Sequence, residues 1–221
     1  MTAIAIDGPA GAGKSTVARR LAEHLGWTYV DTGAMYRAVG LAAVDSGIEL
    51  DDEEALTTLV SDLRLDLVDG RWFLDGTDIS DRIRSPEIAR AASMVARSPG
   101  VREAMVARQR ETARAGDVVM EGRDIGSVVL PDADVKVFLT ASLDERARRR
   151  DRESASSTST TFAGVRDALE ARDTADVTRS ISPLAPASTA IEIDTTDLSI
   201  DEVVQRIAGL IEAQIASVED G

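Results

Sequence analysis

A chain of 221 residues with 43% hydrophobic and 29% charged residues has the composition of a globular protein of one or two domains. Its net charge of −14 argues against charge-driven binding to nucleic acid or to an anionic membrane, and the absence of cysteine excludes disulfides and thiol catalysis. The sequence has no uninterrupted apolar stretch of about 18 residues and no secretory leader, so we expect a cytoplasmic protein with no membrane partner.

The chain opens with a pattern typical of a strand, a glycine-rich loop and a helix. Residues 2–7 are mainly apolar and predict a buried strand, while residues 15–25 have the apolar spacing of a helix. The loop between them matches the phosphate-binding spacing G-x-x-x-x-G-K-[ST] at every position. Its backbone N–H groups and the helix N-terminus can surround a polyphosphate. A plain glycine-rich turn between a strand and a helix is the alternative.

The predicted nucleotide-binding residues are Gly8, Pro9, Ala10, Gly11, Ala12, Gly13, Lys14, Ser15 and Thr16. We expect Lys14 to reach the outer phosphates of ATP, and the hydroxyl of Ser15 to hold Mg²⁺.

A second strand is predicted at residues 27–30, followed by a helix that begins after Asp31 or Thr32 and ends near Gly47. Either of those two side chains can cap the helix, and Arg37 lies one turn inside it. The stretch fits a second ligand site and a capped helix with a surface arginine equally well.

Residues 64–74 interrupt the alternation of strands and helices. Apolar residues alternate there with polar ones, and two Asp-Gly pairs, at 69–70 and 75–76, signal turns, which together predict a small antiparallel meander. Ser85 and Ser98 each precede a proline, a pattern that starts a helix. We therefore expect an inserted lobe at residues 33–98.

Three further core strands are predicted, at residues 117–120, 134–140 and 191–194. Strands that alternate with helices predict an α/β fold: a five-stranded parallel sheet with helices on both faces. We expect one kinase-like unit over residues 1–221. Its predicted parts are a core at 1–32, 99–145 and 165–221, the lobe at 33–98 and a lid at 146–164.

The lid prediction depends on an arginine-rich helix from Ser142 and on the hydroxyl-rich run at 154–161, whose composition is typical of a mobile segment. Arginines beside a mobile loop suit a lid that closes over phosphates. A solvated helix beside a surface loop is the alternative.

A phosphate-binding loop alone defines no reaction. The chain contains no asparagine, which excludes a GTPase that reads guanine with Asn-Lys-x-Asp, and it lacks the Leu-Ser-Gly-Gly-Gln run of transporter ATPases. A phosphotransferase acting on a small substrate remains, because it must neutralise phosphates, hold the acceptor in line and exclude water.

Four motifs together resemble the bacterial cytidylate kinase family, a family of nucleoside monophosphate kinases, in its long form. They are Gly-Pro-Ala-Gly-Ala-Gly-Lys-Ser at 8–15, Asp-Thr-Gly-Ala-Met-Tyr-Arg at 31–37, Glu-Gly-Arg-Asp-Ile-Gly at 121–126 and Arg-Ser-Ile-Ser-Pro-Leu at 179–184. They span essentially the whole chain in order. The resemblance implies that ATP donates its γ-phosphoryl group to CMP or dCMP, a step of pyrimidine nucleotide metabolism.

The resemblance also implies site residues. The acceptor-binding residues would be Thr32, Arg37, Ser93, Arg102, Arg123, Asp124, Arg172, Asp176 and Arg179. The catalytic residues would be Lys14, Arg123, Asp124, Arg149, Arg150 and Arg179. Within these sets Ser93 and Arg102 would contact the cytosine ring, and Asp124 would contact the pentose.

Two alternatives to this function stay open at the level of the sequence. One is another small-molecule kinase, of the uridylate/cytidylate or shikimate type. The other is a regulatory protein that binds a nucleotide without turnover. We expect a monomer whose partners are the small-molecule substrates.

Overall fold

The computed structural model describes residues 2–68, 70–154, 161–179 and 182–219. The first half of the chain contains β1 (Ala3–Asp7), α1 (Lys14–Leu25), β2 (Thr28–Asp31), α2 (Thr32–Asp45), α3 (Glu53–Asp62), β3 (Leu65–Val68), β4 (Arg71–Leu74), β5 (Thr77–Asp78), α4 (Pro86–Val95) and α5 (Pro99–Arg114). The second half contains β6 (Val118–Glu121), β7 (Val135–Thr140), α6 (Leu143–Ser154), α7 (Phe162–Thr178), β8 (Ile191–Asp194) and α8 (Ile200–Glu219).

The chain forms two compact units, residues 1–30 with 113–221, and residues 31–112. Positions 155–160 of the predicted lid lie outside the described residues. Within the described ranges, none of the helices is both long enough and apolar enough to cross a membrane.

The first unit is built on the predicted five-stranded parallel sheet, whose strand order is β2-β6-β1-β7-β8. β1 is the central strand and pairs in parallel with β6 and β7, and β7 pairs in parallel with β8. Every residue of β1 is buried, as expected for a strand covered on both faces. The carboxyl ends of β1 and β6 therefore lie side by side, with Ile6 opposite Glu121.

Apolar side chains of α1 and α8 close one hydrophobic core over this sheet. Val17 and Leu21 of α1 and Val203 and Ile207 of α8 are buried in the same cluster as Ile4. The helical spacing of these residues places them on one face of each helix, which accounts for the packing. The sheet and its two helices thus fix the position of the loop at residues 8–13.

The second unit contains the predicted meander, an antiparallel sheet in the order β3-β4-β5. Its helix α2 packs closely on α4 because Gly40 has no side chain: a Cβ there would lie 2.9 Å from the backbone nitrogen of Ala92. Asp31 caps α2 by accepting a hydrogen bond from the backbone of Ala34 at 2.8 Å. Of the two predicted caps, Asp31 is the one that the structure uses.

Some short local elements were not predicted, among them a 3-10 turn at Arg82–Arg84. A π-helical turn at Ile125–Val129 follows β6 directly. A turn of this kind has no strong sequence pattern, and it is common at functional sites.

The backbone of β7 passes so close to Gly8 that this glycine leaves no room for a side chain, and a substitution there tests the packing. Its φ is +143°, and a Cβ there would lie 2.1 Å from the backbone oxygen of Leu139. We expect Gly8→Ala to lower the free energy of unfolding by at least about 3 kcal/mol, because strand backbone would have to move.

Gly26→Ala is the matched control. Gly26 has a φ of +70°, and no heavy atom lies within 4 Å of the position that a Cβ would occupy there. The left-handed conformation alone should cost about 1–2 kcal/mol. Urea denaturation of both variants measures the difference, and equal losses would contradict the packing argument.

Candidate active site

The loop between β1 and α1 has the backbone of a phosphate cradle. Gly8, Gly11 and Gly13 all have positive φ values, of 143°, 79° and 90°. Residues with positive φ occur in the backbone concavities that bind anions in phosphate loops. Lys14, the first residue of α1, is buried, and its Nζ donates a hydrogen bond to the carbonyl of Pro9 at 2.8 Å.

The surroundings of Lys14 lower the pKa of its amine to about 7. Burial is the largest cause, and the positive charges of Arg123 and Arg172 act in the same direction. Glu121 and Asp7 oppose the shift and do not cancel it. Burial and the two arginines therefore disfavour the charged form of Lys14, and an anionic ligand would favour it.

Ser15 lies beside a carboxylate that the sequence prediction did not assign. Its hydroxyl donates to Oε1 of Glu121 at 2.6 Å, and the hydroxyl of Tyr29 lies 3.5 Å from the same oxygen. An acidic residue at the carboxyl end of the strand next to β1 was the available signal, since P-loop enzymes hold Mg²⁺ with an acid at such a position.

The hydroxyl oxygen of Ser15 and the carboxylate of Glu121 are suitable ligands for Mg²⁺. The described residues contain no group of three or more His, Asp or Glu side chains that could hold a metal ion by themselves. Mg²⁺ usually takes only one or two protein ligands and keeps water and phosphate oxygens for the rest. The hydroxyl of Ser15 and the carboxylate of Glu121 match that requirement.

Asp7 fixes the loop that follows β6. Its two carboxylate oxygens accept hydrogen bonds from the backbone of Ile125 and of Gly126, each at 2.8 Å. Burial raises the pKa of Asp7 to about 6, although these two hydrogen bonds act in the opposite direction. Asp7, the last residue of β1, therefore holds the segment that contains Arg123 and Asp124.

Arg123 and Asp124, both predicted site residues, lie next to this anchor. Nε of Arg123 donates to Oδ2 of Asp176 at 3.0 Å, and Asp124 is buried. The ion pair between Arg123 and Asp176 joins the loop after β6 to α7, which also contains Arg172. Nε of Arg179, just beyond α7, donates to the carbonyl of Ser182. The predicted acceptor residues of the first unit therefore lie on two segments. Arg123 and Asp124 are on the loop after β6, and Arg172, Asp176 and Arg179 are on α7 or directly after it.

The two predicted lid arginines lie on α6 and differ in their surroundings. Arg149 donates to Oγ1 and to the carbonyl of Thr195, at 2.9 and 2.6 Å, and its Nη1 lies 3.5 Å from where a side chain on Gly13 would be. Oγ1 of Thr195 in turn lies 3.2 Å from the carbonyl oxygen of Ala12 and 2.9 Å from that of Thr140. Arg149 is thus fixed next to the phosphate loop, whereas Arg150 is exposed.

The second unit contains the other predicted acceptor residues. Nη2 of Arg37 donates to Oδ2 of Asp31 at 2.9 Å, while its Nε is buried without a hydrogen bond. Thr32 and Arg102 are buried, and Ser93 donates to the carbonyl of Ala89 at 3.2 Å. Asp31 therefore serves both as helix cap and as the carboxylate that orients Arg37.

The strand order, with the phosphate loop at the end of the central strand, defines a P-loop kinase. Solved structures with this fold include a gluconokinase from Sinorhizobium meliloti 1021, with a TM-score of 0.52 and 15% identity over 100% of this chain and 97% of that one. A shikimate kinase from Bacteroides thetaiotaomicron has a TM-score of 0.51 and 15% identity over 96% of this chain and 98% of the other.

Sequence comparison gives the family. The cytidylate kinase family profile matches residues 4–213. The curated cytidylate kinase of Caldanaerobacter subterraneus subsp. tengcongensis is 52% identical, over 92% of this chain and 92% of its own length. The curated cytidylate kinase of Exiguobacterium sibiricum is 48% identical, over 96% of this chain and 97% of its own length. The chain belongs to the cytidylate kinase family.

The lowered pKa of Lys14 predicts proton uptake when a nucleotide binds. At pH 8 a group with a pKa of about 7 is mostly neutral, and the charge of a triphosphate favours the ammonium form. We expect uptake of a large fraction of one proton on binding Mg·ATP, measured by calorimetry at pH 8 in buffers of different ionisation enthalpy.

The control is Lys14→Arg, whose guanidinium stays charged throughout this pH range. Proton uptake should vanish in that variant. Uptake that persists in Lys14→Arg, or that is absent from the wild type, would show that Lys14 is not the group that changes charge.

Proposed function

We propose that this chain transfers the γ-phosphoryl group of ATP to CMP or dCMP, giving ADP and CDP or dCDP. The observation that supports this most strongly is the match to the cytidylate kinase family along residues 4–213, with the phosphate loop intact within it. Two curated relatives of similar length are named cytidylate kinase.

On the donor side, we assign the phosphates of ATP to the loop at residues 8–16. The backbone N–H groups would hold the phosphates, and Lys14 would neutralise charge on the outer ones. Mg²⁺, when bound, neutralises charge on the β- and γ-phosphates; Ser15 would hold it, with Glu121 fixing the hydroxyl through the 2.6 Å contact.

On the acceptor side, we assign the phosphate of CMP to four arginines, three of which, Arg37, Arg123 and Arg179, are held by a carboxylate or a carbonyl. The fourth is Arg172. Arginine is suited to this task because its planar fork binds phosphate oxygens in pairs. We assign the pentose to Asp124 and Asp176, and the cytosine ring to Thr32, Ser93 and Arg102.

The reaction needs no general base from the protein. An oxygen of the acceptor phosphate attacks the γ-phosphorus, the bond from that phosphorus to the bridging oxygen breaks, and ADP leaves with that oxygen. Both nucleophile and leaving group are anionic, so catalysis consists of positioning and charge stabilisation. Lys14, Arg123, Arg149, Arg150 and Arg179 would supply the positive charge.

We also propose that the enzyme is a cytoplasmic monomer that binds no nucleic acid. The net charge of −14 disfavours a polyanionic partner, and the apolar faces of α1 and α8 are used within their own unit. Sedimentation velocity should show a single species of 23.5 kDa. A stable dimer at micromolar concentration would contradict this.

The test of the function is ADP formation from Mg·ATP with CMP, dCMP, UMP, AMP, GMP or shikimate as acceptor. We expect high turnover with CMP and dCMP and little with the purine monophosphates. Lys14→Ala should lower kcat about 10²–10³-fold, in line with loss of one charge-stabilising donor.

Each other outcome selects a different function. Equal turnover with UMP would indicate a uridylate/cytidylate kinase, and turnover with shikimate alone a shikimate-type enzyme. ATP binding without turnover on any acceptor would indicate a nucleotide-binding regulator.

A further inference from the structure

Arg146 is a buried arginine to which neither the sequence motifs nor the proposed reaction gives a role. Only 8% of its side chain is exposed. Nη1 lies 3.1 Å from the carbonyl of Ala10 in the phosphate loop and 2.6 Å from Oδ2 of Asp173, and Nε donates to the carbonyl of Ala141 at 3.1 Å. One guanidinium therefore joins the phosphate loop, the turn before α6, and α7.

The phosphate loop and α6 are in direct contact at this point. A side chain at Gly11 would lie 3.0 Å from Cβ and 3.2 Å from the carbonyl oxygen of Arg146. Interiors are packed densely, so a shift of the loop around a bound triphosphate would move Arg146 as well. Through Nη1 the movement would reach Asp173.

Asp173 belongs to the helix that contains the acceptor-side residues. It lies three positions before Asp176, so both carboxylates are on one face of α7. Asp176 holds Arg123 from the loop after β6, and Asp173 holds Arg146 from α6. These two carboxylates thus connect α7, which contains Arg172, to the loop after β6 and to α6.

The Arg146–Asp173 pair is less exposed than the other ion pair between α6 and α7, since 8% of the Arg146 side chain and 22% of the Asp173 side chain are exposed. A second ion pair joins the same two helices, Arg166 to Asp144 at 3.0 Å, but both its side chains are about half exposed, at 44% and 58%. Exposed pairs contribute little, whereas loss of one partner of a buried pair leaves an uncompensated charge. The second carboxylate oxygen of Asp173 is buried without a hydrogen bond.

We propose that Arg146 and Asp173 are positioning residues that couple the two substrate sites. When the phosphate loop binds ATP, the contact through Ala10, Arg146 and Asp173 sets α7 in the position that binds CMP. The inference rests on the proposed function, since it takes CMP as the ligand of the acceptor side. By linkage, bound CMP strengthens ATP binding by the same factor.

The experiment measures this coupling factor. The dissociation constant of CMP is determined by calorimetry with and without a saturating, non-hydrolysable ATP analogue and Mg²⁺. In the wild type we expect the analogue to tighten CMP binding by about 5-fold or more, the lower end of common coupling energies. In Asp173→Asn the factor should fall to within about twofold of one, with little change in CMP affinity when the analogue is absent.

Asp144→Asn is the matched control, since it removes a carboxylate from the other ion pair between the same helices. Its coupling factor should equal that of the wild type, and Asp173→Glu should recover part of the lost factor. A wild-type factor in Asp173→Asn would overturn the inference. An equal loss in Asp144→Asn would do so too, because any tether between α6 and α7 would then suffice.

Arg146→Lys keeps the test decisive if Asp173→Asn fails to fold. Lysine keeps the charge but cannot reach Ala10, Ala141 and Asp173 with one ammonium group, so the coupling factor should fall here as well. An unchanged factor in Arg146→Lys would overturn the inference. A wild type that phosphorylates CMP without any coupling refutes the inference alone, whereas a wild type inactive on CMP refutes the proposed function and the inference together.

Discussion

The buried ammonium of Lys14 is the constraint on which the rest of the site depends. Desolvation lowers the pKa of an amine in this position, and two arginines nearby increase the penalty on its charged form. Its Nζ donates a hydrogen bond to a carbonyl of its own loop. Such an arrangement is unfavourable without an anion and favourable around a polyphosphate, so binding of the ligand relieves a cost that the fold imposes.

Three arginines are each held by a carboxylate of their own unit. Asp31 orients Arg37, Asp176 orients Arg123, and Asp173 orients Arg146. An acidic protein that binds anions needs positive charge at defined points rather than a basic surface. Carboxylates on the same or on another segment of the unit provide that definition, because a fixed guanidinium loses less side-chain entropy when a phosphate binds.

The sequence was sufficient wherever the cause of a structure is local. The core strands are short runs in which apolar residues are continuous or alternate with polar ones. Asp31 and Ser85 are caps next to their helices, and the phosphate loop is a continuous motif. The hydrogen bonds of Asp7 could not be predicted from the sequence, because their partners, Ile125 and Gly126, are more than a hundred positions away along the chain. The ion pair between Arg146 and Asp173 likewise depends on the packing of two helices, and no pattern in either helix specifies it.

The same distinction separates the two kinds of residue that a kinase needs. Groups that touch phosphate are constrained by chemistry, so they occur in motifs. Groups that set the timing of the reaction are constrained by which segments meet in the fold. A kinase must prevent transfer to water, and it can do so if acceptor binding depends on the state of the donor loop. The contacts of Arg146 with Ala10 of that loop and with Asp173 of α7 would supply such a dependence.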